Sequence, residues 1–194
     1  MNARCQKLYR TVKNRDGFTL IEMLIVIIIL GILAMVIIPQ ITVSTEDAKV
    51  STLKTNLTGM RSAIEIYYAQ HNMTYPGVKK NDGTADAASV SECQTAFVEQ
   101  LTQYSDATGK VSPQKTVGAV TYPFGPYIKG GTLPSNPFKD NATDAVAVVC
   151  DLTIDNIITP RSPSGTAGWK FLAKLGVIFA NDNLKSNEID HFTY

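Results

Sequence analysis

A long apolar run begins at Phe18 and continues to Ile38, and the only charged residue within it is Glu22. A helix over these positions would be roughly 31 Å long, at about 1.5 Å per residue, which matches the hydrocarbon core of a bilayer. The apolar regions of secretory signal sequences are shorter, about 7–15 residues. The pattern therefore predicts a membrane-spanning helix that the protein retains.

A second, amphipathic pattern follows from Gln40 to Asn72. Its apolar positions are three or four residues apart, which places them on one face of a helix. They are Val50, Leu53, Leu57, Met60, Ile64 and Tyr67. Together the two runs predict one helix of about 50 residues, bent or loosened at Pro39 and ended before Pro76. We expect the apolar stripe to pack on the protein's own sheet, with a dimeric coiled coil as the alternative.

The remaining chain predicts a small globular domain. Residues 91–104 have the pattern of a short helix, residues 106–109 form a turn, and residues 122–138 predict an irregular loop rich in proline and glycine. Short β-type runs lie at 145–150, 152–158, 169–172 and 177–180, and the last two suit a hairpin. We therefore expect an α+β protein in which a long N-terminal helix, half transmembrane and half amphipathic, packs on a small antiparallel β-sheet.

The distribution of charge gives this helix a direction in the membrane. The first 16 residues contain five basic residues and one acid, a net charge of +4, whereas the whole chain has a net charge of +1. Positively charged flanks of membrane helices stay in the cytoplasm. We therefore expect a single-pass precursor with a cytoplasmic N-terminus and an exported body.

Composition and sequence motifs limit the classes of function that we expect for this chain. With 44% hydrophobic and 18% charged residues, the chain is neither disordered nor a typical nucleic-acid binder. It has no GxSxG, HExxH, P-loop or dinucleotide-binding motif, so we expect no catalytic residues and no enzymatic activity. His71 and His191 are the only histidines, and we expect both at the surface. Without a CxxC motif we expect no metal site.

Two cysteines lie in the exported body, Cys93 and Cys150. Oxidising conditions outside the cytoplasm favour a disulfide between them. It would close a loop of about 57 residues and contribute about 4 kcal/mol in the loop-entropy model. We expect the disulfide; two buried free thiols are the alternative.

Residues 17–22 read Gly-Phe-Thr-Leu-Ile-Glu. Gly17 has no side chain, which leaves the backbone between the basic head and the apolar run open to a protease. The carboxylate of Glu22 costs several kcal/mol in hydrocarbon unless it is paired. Cleavage after Gly17 would create an α-amino group on Phe18 near the same depth. That amine would pair with Glu22 of the next subunit, which makes Glu22 a candidate for directing assembly.

This junction, with its basic leader and long apolar run, closely resembles the class III signal of type IV prepilins and type II secretion pseudopilins. The resemblance implies that a membrane-embedded aspartyl peptidase cuts after Gly17 and methylates Phe18, and that Glu22 guides assembly. It implies that Pro39 marks a weak point of the helix in assembled filaments. The implied parts are a leader 1–17, an assembly helix 18–39, an amphipathic helix 40–76 and a globular domain 77–194.

The body resembles that of major pseudopilins more loosely, through GPYIK from Gly125, LPSNPF from Leu133, GWKF from Gly168 and GVIFAN from Gly176. Those proteins often bind calcium in a C-terminal acidic loop rich in glycine. The comparable oxygen-bearing residues are present here without the glycines: Asn181, Asp182, Asn183, Asn187, Glu188 and Asp190. We expect a solvated polar tail and no cofactor, with a calcium site as the alternative.

The resemblance implies a structural subunit of a type IV pilus-like or type II secretion pseudopilus filament, assembled through its N-terminal helix after leader cleavage. The implied partners are copies of itself and related pilins, the prepilin peptidase, and an inner-membrane assembly platform with its ATPase. The precursor would lie in the inner membrane and the filament in the periplasm or outside the cell. Two alternatives stay open: a minor tip pilin that binds cargo, surfaces or DNA, and a signal-anchored periplasmic domain that does not assemble.

Overall fold

The computed structural model describes residues 17–156, 162–186 and 188–194, and of residues 36–44 it describes the backbone alone. The described chain forms two compact units, divided in sequence between Ser44 and Thr45. The predicted leader lies outside the described residues except for Gly17.

One helix, α1, runs from Leu20 to Gln70 and contains 51 residues, so the predicted single helix of about 50 residues is confirmed. Backbone geometry ends it. Asn72 and Met73 have φ angles of 53° and 58°, and the amide of Met73 donates to the carbonyl of Tyr68 at 3.1 Å. This left-handed turn satisfies a carbonyl of the last helical turn and directs the chain away from the helix axis.

The first unit exposes the large apolar side chains of α1 that precede residue 36. Their exposed fractions range from 44% at Met23 to 91% at Leu20. The helix is continuous through Pro39, whose side chain lies outside the described part, so the predicted weak point stays a prediction. Among the described residues, no helix is both long enough and apolar enough to span a bilayer.

The apolar stripe of the second half of α1 forms one side of the hydrophobic core, as predicted. Leu53, Leu57, Met60 and Ile64 are fully buried, and Val50 at the stripe's start is half-buried. The other side of the core comes from the globular part of the same chain, through Phe97, Leu101, Leu133, Trp169, Phe171 and Ile178. Because the stripe is covered within one chain, the coiled-coil alternative is wrong.

The described part of the second unit adds two α-helices, nine short strands and one 3₁₀ helix. In chain order they are α2 (Val90–Thr102), β1 (Tyr104–Ser105), β2 (Val111–Ser112), β3 (Thr116–Val117), β4 (Val120–Thr121), α3 (Ala142–Val146), β5 (Val148–Asp151), β6 (Trp169–Leu172), β7 (Val177–Ala180), β8 (Lys185–Ser186), β9 (Ile189–Asp190) and the 3₁₀ helix His191–Thr193.

Strands β5, β6 and β7 form the central sheet, in that order. The predicted β6–β7 hairpin is confirmed, with Trp169 opposite Ala180. The other two-stranded pairs, β1–β2, β3–β4 and β8–β9, are also antiparallel. Strand β5 runs parallel to β6, a feature that the sequence pattern did not reveal. The predicted α+β class, with the long helix packed on small antiparallel sheets, is otherwise confirmed.

Helix α2 confirms the predicted helix, and local capping fixes where it begins. The hydroxyl of Ser89 accepts from the amide of Glu92 at 3.2 Å, and the carboxylate of Glu92 accepts from the amide of Ala88 at 2.8 Å. The Ser89 hydroxyl thus caps a free amide of the first turn, and Glu92 accepts from the amide just before the cap.

Two of the predicted β runs were wrong in part. The run at 145–150 begins as helix, because Asn141 caps α3 by accepting from the amide of Thr143 at 3.0 Å. Of the run at 152–158, residues 152–156 form no strand, and the rest lies outside the described residues. The carboxylate of Asp151 accepts from the amide of Thr153 at 2.9 Å. This turn draws the chain out of the sheet immediately after β5.

The disulfide between Cys93 and Cys150 is confirmed, and the free-thiol alternative is therefore wrong. The two Cα atoms are 6.1 Å apart, and both side chains are buried in the core. The bond joins α2 to β5, two elements that have no backbone hydrogen bonds in common. It therefore ties the helical layer to the central sheet.

Candidate functional site

The start of α1 is organised by Thr19 and Glu22. The Glu22 Oε2 atom accepts from the Thr19 amide at 2.7 Å and from the Thr19 hydroxyl at 2.9 Å. In return, the Glu22 amide donates to the Thr19 hydroxyl oxygen at 3.3 Å. This is a capping box, in which the two residues satisfy backbone amides that a helix start leaves free.

The capping box gives Glu22 a structural role that the sequence interpretation missed. The signal was available, since a Thr-x-x-Glu pattern ahead of an apolar run indicates a helix start. The box also has a consequence for charge. It draws the Glu22 carboxylate towards the helix N-terminus, beside Phe18 and Thr19, where the α-amino group created by cleavage would lie.

Gly17 and Phe18 lie before the helix, outside any helix or strand, and both are exposed. A Cβ atom added to Gly17 would meet nothing within 4 Å. Packing against the described residues therefore does not explain the glycine at this position. Cleavage after Gly17 and methylation of Phe18 stay predictions.

A second constellation lies in the C-terminal segment, defined here as residues 181–194. The Asp182 side chain is only 1% exposed. Its Oδ1 atom accepts from the Leu184 amide and from Nδ1 of His191, each at 3.0 Å, and its Oδ2 atom accepts from Nδ2 of Asn136 at 3.0 Å. A buried carboxylate with three donors is well compensated for its loss of water.

The His191 ring extends this network to α1. Its Nε2 atom lies 2.9 Å from the Ser186 hydroxyl oxygen, and that hydroxyl donates to Glu46 Oε1 at 2.8 Å. Since Ser186 has only one hydroxyl proton, its oxygen accepts from Nε2. We therefore assign both ring nitrogens of His191 as donors, one to Asp182 and one to Ser186.

The aromatic and basic surroundings hold the same segment. The His191 ring packs on Phe138, with ring centroids 4.1 Å apart. The Arg61 guanidinium donates to the carbonyl oxygen of Ile178 at 3.2 Å and to that of Tyr194 at 2.5 Å. These contacts make the C-terminal segment a packed part of the domain, so the predicted solvated polar tail is wrong.

The expected surface position of both histidines is also wrong. His191 is fully buried and His71 is 2% exposed. The His71 Nδ1 atom donates to the Tyr67 carbonyl at 2.8 Å, and its Nε2 atom accepts from the Ser105 hydroxyl at 3.0 Å. Burial lowers the pKa of His71, and the Tyr67 carbonyl and the charge of Asp106 offset part of this shift. Neither histidine has a sequence neighbour that signals its partners.

The candidate calcium ligands are dispersed in the structure. The amide group of Asn181 is used by the backbone of Ser164 and Ala167. Asp190 pairs with Lys185 at 3.3 Å, and Asn187 lies outside the described residues. Within the described ranges, no cluster of three or more His, Cys, Asp or Glu side chains has the arrangement to hold a metal ion.

One family model matches the sequence at the N-terminal junction described above. Residues 12–38 match the model of the prokaryotic N-terminal methylation motif, a range that includes Gly17, Phe18 and Glu22. No solved structure matches the chain.

Several curated relatives match part of the chain. The type II secretion system core protein G of Pseudomonas aeruginosa is 35% identical over 68 residues, which are 35% of this chain and 47% of the relative. A fimbrial protein of Neisseria meningitidis is 40% identical over 87 residues, 45% of this chain and 49% of the relative. The type IV major pilin protein PilE of Neisseria gonorrhoeae is 39% identical over 87 residues, 45% and 50% respectively.

The chain thus spans about half the length of the curated relatives it matches. The methylation motif covers the start of the long helix, and the fold beyond the motif is α+β with that helix packed on small sheets. On these grounds the chain is similar, in its methylation motif and over part of its length, to proteins of the type IV pilin and type II secretion pseudopilin family.

Proposed function

We propose that this protein is a structural subunit of a type IV pilus-like or type II secretion pseudopilus filament. The observation that carries the proposal is the exposed apolar helix after Gly17, with a single carboxylate at its start. An apolar surface of this length is unfavourable in water. It has two natural environments, a membrane before assembly and the helices of neighbouring subunits afterwards.

The proposed mechanism begins with cleavage after Gly17, which leaves the α-amino group of Phe18 beside the capping box. The Glu22 carboxylate stays ionised in an apolar bundle only when a positive charge is close. The amine of a neighbouring Phe18 supplies that charge. This ion pair stabilises one particular axial offset between adjacent helices. The helices then form the core of the filament.

The relatives support this structural role over a catalytic one. Their printed names are those of a core protein of the type II secretion system, a fimbrial protein and a major pilin. The words core and major favour an abundant subunit over a minor tip pilin. No catalytic role is part of the proposal.

The proposed partners and location follow from the same motif. The precursor is inserted in the inner membrane with its N-terminus in the cytoplasm, and a prepilin peptidase removes the leader. An assembly platform and its ATPase then transfer the subunit into a periplasmic or extracellular filament, together with copies of itself and related pilins.

Replacement of Glu22 tests the proposal in cells that lack the native subunit. The variant Glu22→Ala should be cleaved normally and yet enter the sheared filament fraction at least about tenfold less than the wild type, because an interface ion pair is lost. Mass spectrometry of the membrane fraction would show the N-terminal Phe18 and its methyl group in both proteins.

The matched control is Glu65→Ala, which removes an exposed acid from the second half of the same helix. It should assemble like the wild type. Wild-type yields of filament from Glu22→Ala would contradict the proposal. So would recovery of the wild-type protein as single subunits that still contain residues 1–17.

A further inference from the structure

The buried negative charge of Asp182 in the C-terminal segment has to be balanced, whether or not the protein assembles into filaments. A carboxylate that is 1% exposed requires donors or a cation to replace water. In this fold family a calcium ion at the comparable loop would be one way to supply that positive charge.

The residues of the segment do not fit a calcium site. Calcium binds 6–8 oxygen atoms at about 2.3–2.6 Å. Both oxygens of Asp182 already accept hydrogen bonds from nitrogen donors. A cation at Oδ1 of Asp182 would have to displace the His191 ring or the Leu184 amide, since both donors lie 3.0 Å from that oxygen.

The other oxygen-bearing side chains are either engaged with other residues or exposed. The Oδ1 atom of Asn181 accepts from the Ser164 amide at 2.6 Å, which ties it to the loop before β6. The side chains of Asn183 and Glu188 are exposed, and Asp190 is paired with Lys185. The described residues thus offer Asp182 alone as a buried acidic ligand in this segment.

We propose that His191, and not a calcium ion, is the partner of Asp182, and that the C-terminal segment of this protein folds without a metal. The ring donates to Asp182 on one side and to Ser186 on the other, and Ser186 donates to Glu46 on α1. The network therefore performs two tasks. It satisfies the buried carboxylate, and it fastens the segment to the second half of α1.

The first experiment measures calcium dependence in the full chain in detergent micelles. After removal of divalent cations with a chelator, the melting temperature should change by less than about 1 °C when millimolar calcium chloride is added. Proteolysis within residues 182–194, followed by mass spectrometry, should proceed at the same rate with and without calcium.

A saturable rise in melting temperature of roughly 5–10 °C would overturn the proposal, because that is the shift expected from an ion present at about 100 times its dissociation constant. The measurement decides the question with the wild-type protein, so it does not depend on the folding of any variant. It is also independent of whether the protein forms filaments.

A second experiment tests the partner directly with two substitutions and a control substitution. His191→Ala should raise the rate of proteolysis in the segment at least about tenfold, in calcium and in chelator alike, because Asp182 loses a buried donor. Asp182→Asn should have a comparable effect, since the amide cannot accept from all three donors. Asp190→Asn, the matched control at a more exposed acid, should leave the rate unchanged.

The result that contradicts the proposal is a stable segment in His191→Ala whose protection disappears in chelator. That outcome would show that a cation, and not the His191 ring, is what stabilises Asp182 in this segment. Equal proteolysis rates for Asp182→Asn, Asp190→Asn and the wild type would also contradict it.

Discussion

The imidazole ring of His71 lies flat on the phenol ring of Tyr67, one helical turn earlier, with ring centroids 3.7 Å apart and planes inclined by 5°. The stacked pair closes the end of α1, and the phenol ring of Tyr127 meets it edge-on, 5.7 Å from Tyr67. Burial raises the pKa of Tyr127 to about 12 and lowers that of His71. Both rings are therefore neutral parts of the core near neutral pH.

The first prediction follows from the lowered pKa of His71. Below about pH 6.5, the ordinary pKa of histidine, the unfolded chain binds a proton at this residue more readily than the folded chain. Above that pH, the free energy of unfolding should keep its full value with respect to the titration of His71. It should fall by up to about 1.4 kcal/mol per pH unit below it, until the folded pKa is reached.

Urea denaturation followed by the fluorescence of Trp169, the single tryptophan, measures this dependence from about pH 8 to about pH 5. His71→Phe removes the titrating group and keeps an aromatic ring against Tyr67. The variant should be less stable at neutral pH because Ser105 loses its partner, and its stability should fall less steeply with acid. Identical pH slopes for the two proteins would contradict the assignment.

The second prediction compares two isoleucines two positions apart on α1. Ile64 is fully buried and Ile66 is 50% exposed. Ile64→Ala should lower the free energy of unfolding by about 2–5 kcal/mol, through lost burial and the cavity left behind. Ile66→Ala should change it by less than about 0.5 kcal/mol. Similar losses would mean that the stripe assigned to the core is misplaced.

Much of this core could be predicted from the sequence, because helical periodicity depends on short spacings. The positions of Leu53, Leu57 and Ile64 follow from steps of three and four residues. The β6–β7 hairpin is also local, with four residues between its strands. The disulfide was predictable for a different reason, since both cysteines lie in the part of the chain that the charge pattern predicts to be exported.

Non-local pairings could not be predicted in the same way. The parallel contact of β5 with β6 joins segments separated by a long connection, and no pattern in either strand specifies the partner. Asp182 and His191 meet through the fold of residues between them and through Asn136, 46 positions before Asp182 in the chain. By contrast, the Thr19–Glu22 capping box could be predicted from the sequence, because both residues are close in the chain. Glu22 was assigned a role in assembly alone, and its role at the helix start was missed.

The third prediction concerns the disulfide between Cys93 and Cys150. The double variant Cys93→Ala, Cys150→Ala should lose about 2–5 kcal/mol of folding free energy, since the unfolded chain gains freedom that the cross-link removes. The wild-type protein measured with a reductant should lose a comparable amount. Unchanged urea midpoints in both cases would show that the link between α2 and β5 is redundant.

The last prediction concerns the turn between β6 and β7. Gly176 has a φ of +68°, and a Cβ atom added there would overlap the ring of Tyr75. Gly118 in the β3–β4 turn has a φ of +61°, and an added Cβ would meet nothing within 4 Å. Gly118→Ala should therefore cost only the backbone strain of about 1–2 kcal/mol, whereas Gly176→Ala should cost about 1–3 kcal/mol more.

Removal of the Tyr75 ring separates the two contributions. In a Tyr75→Ala background, Gly176→Ala should lower the free energy of unfolding by no more than Gly118→Ala does in the wild type, because only the backbone strain is left. The coupling between the two positions, measured as a double-mutant cycle, then equals the cost of the overlap. Additive losses for Tyr75→Ala and Gly176→Ala would show that the ring does not restrict this turn.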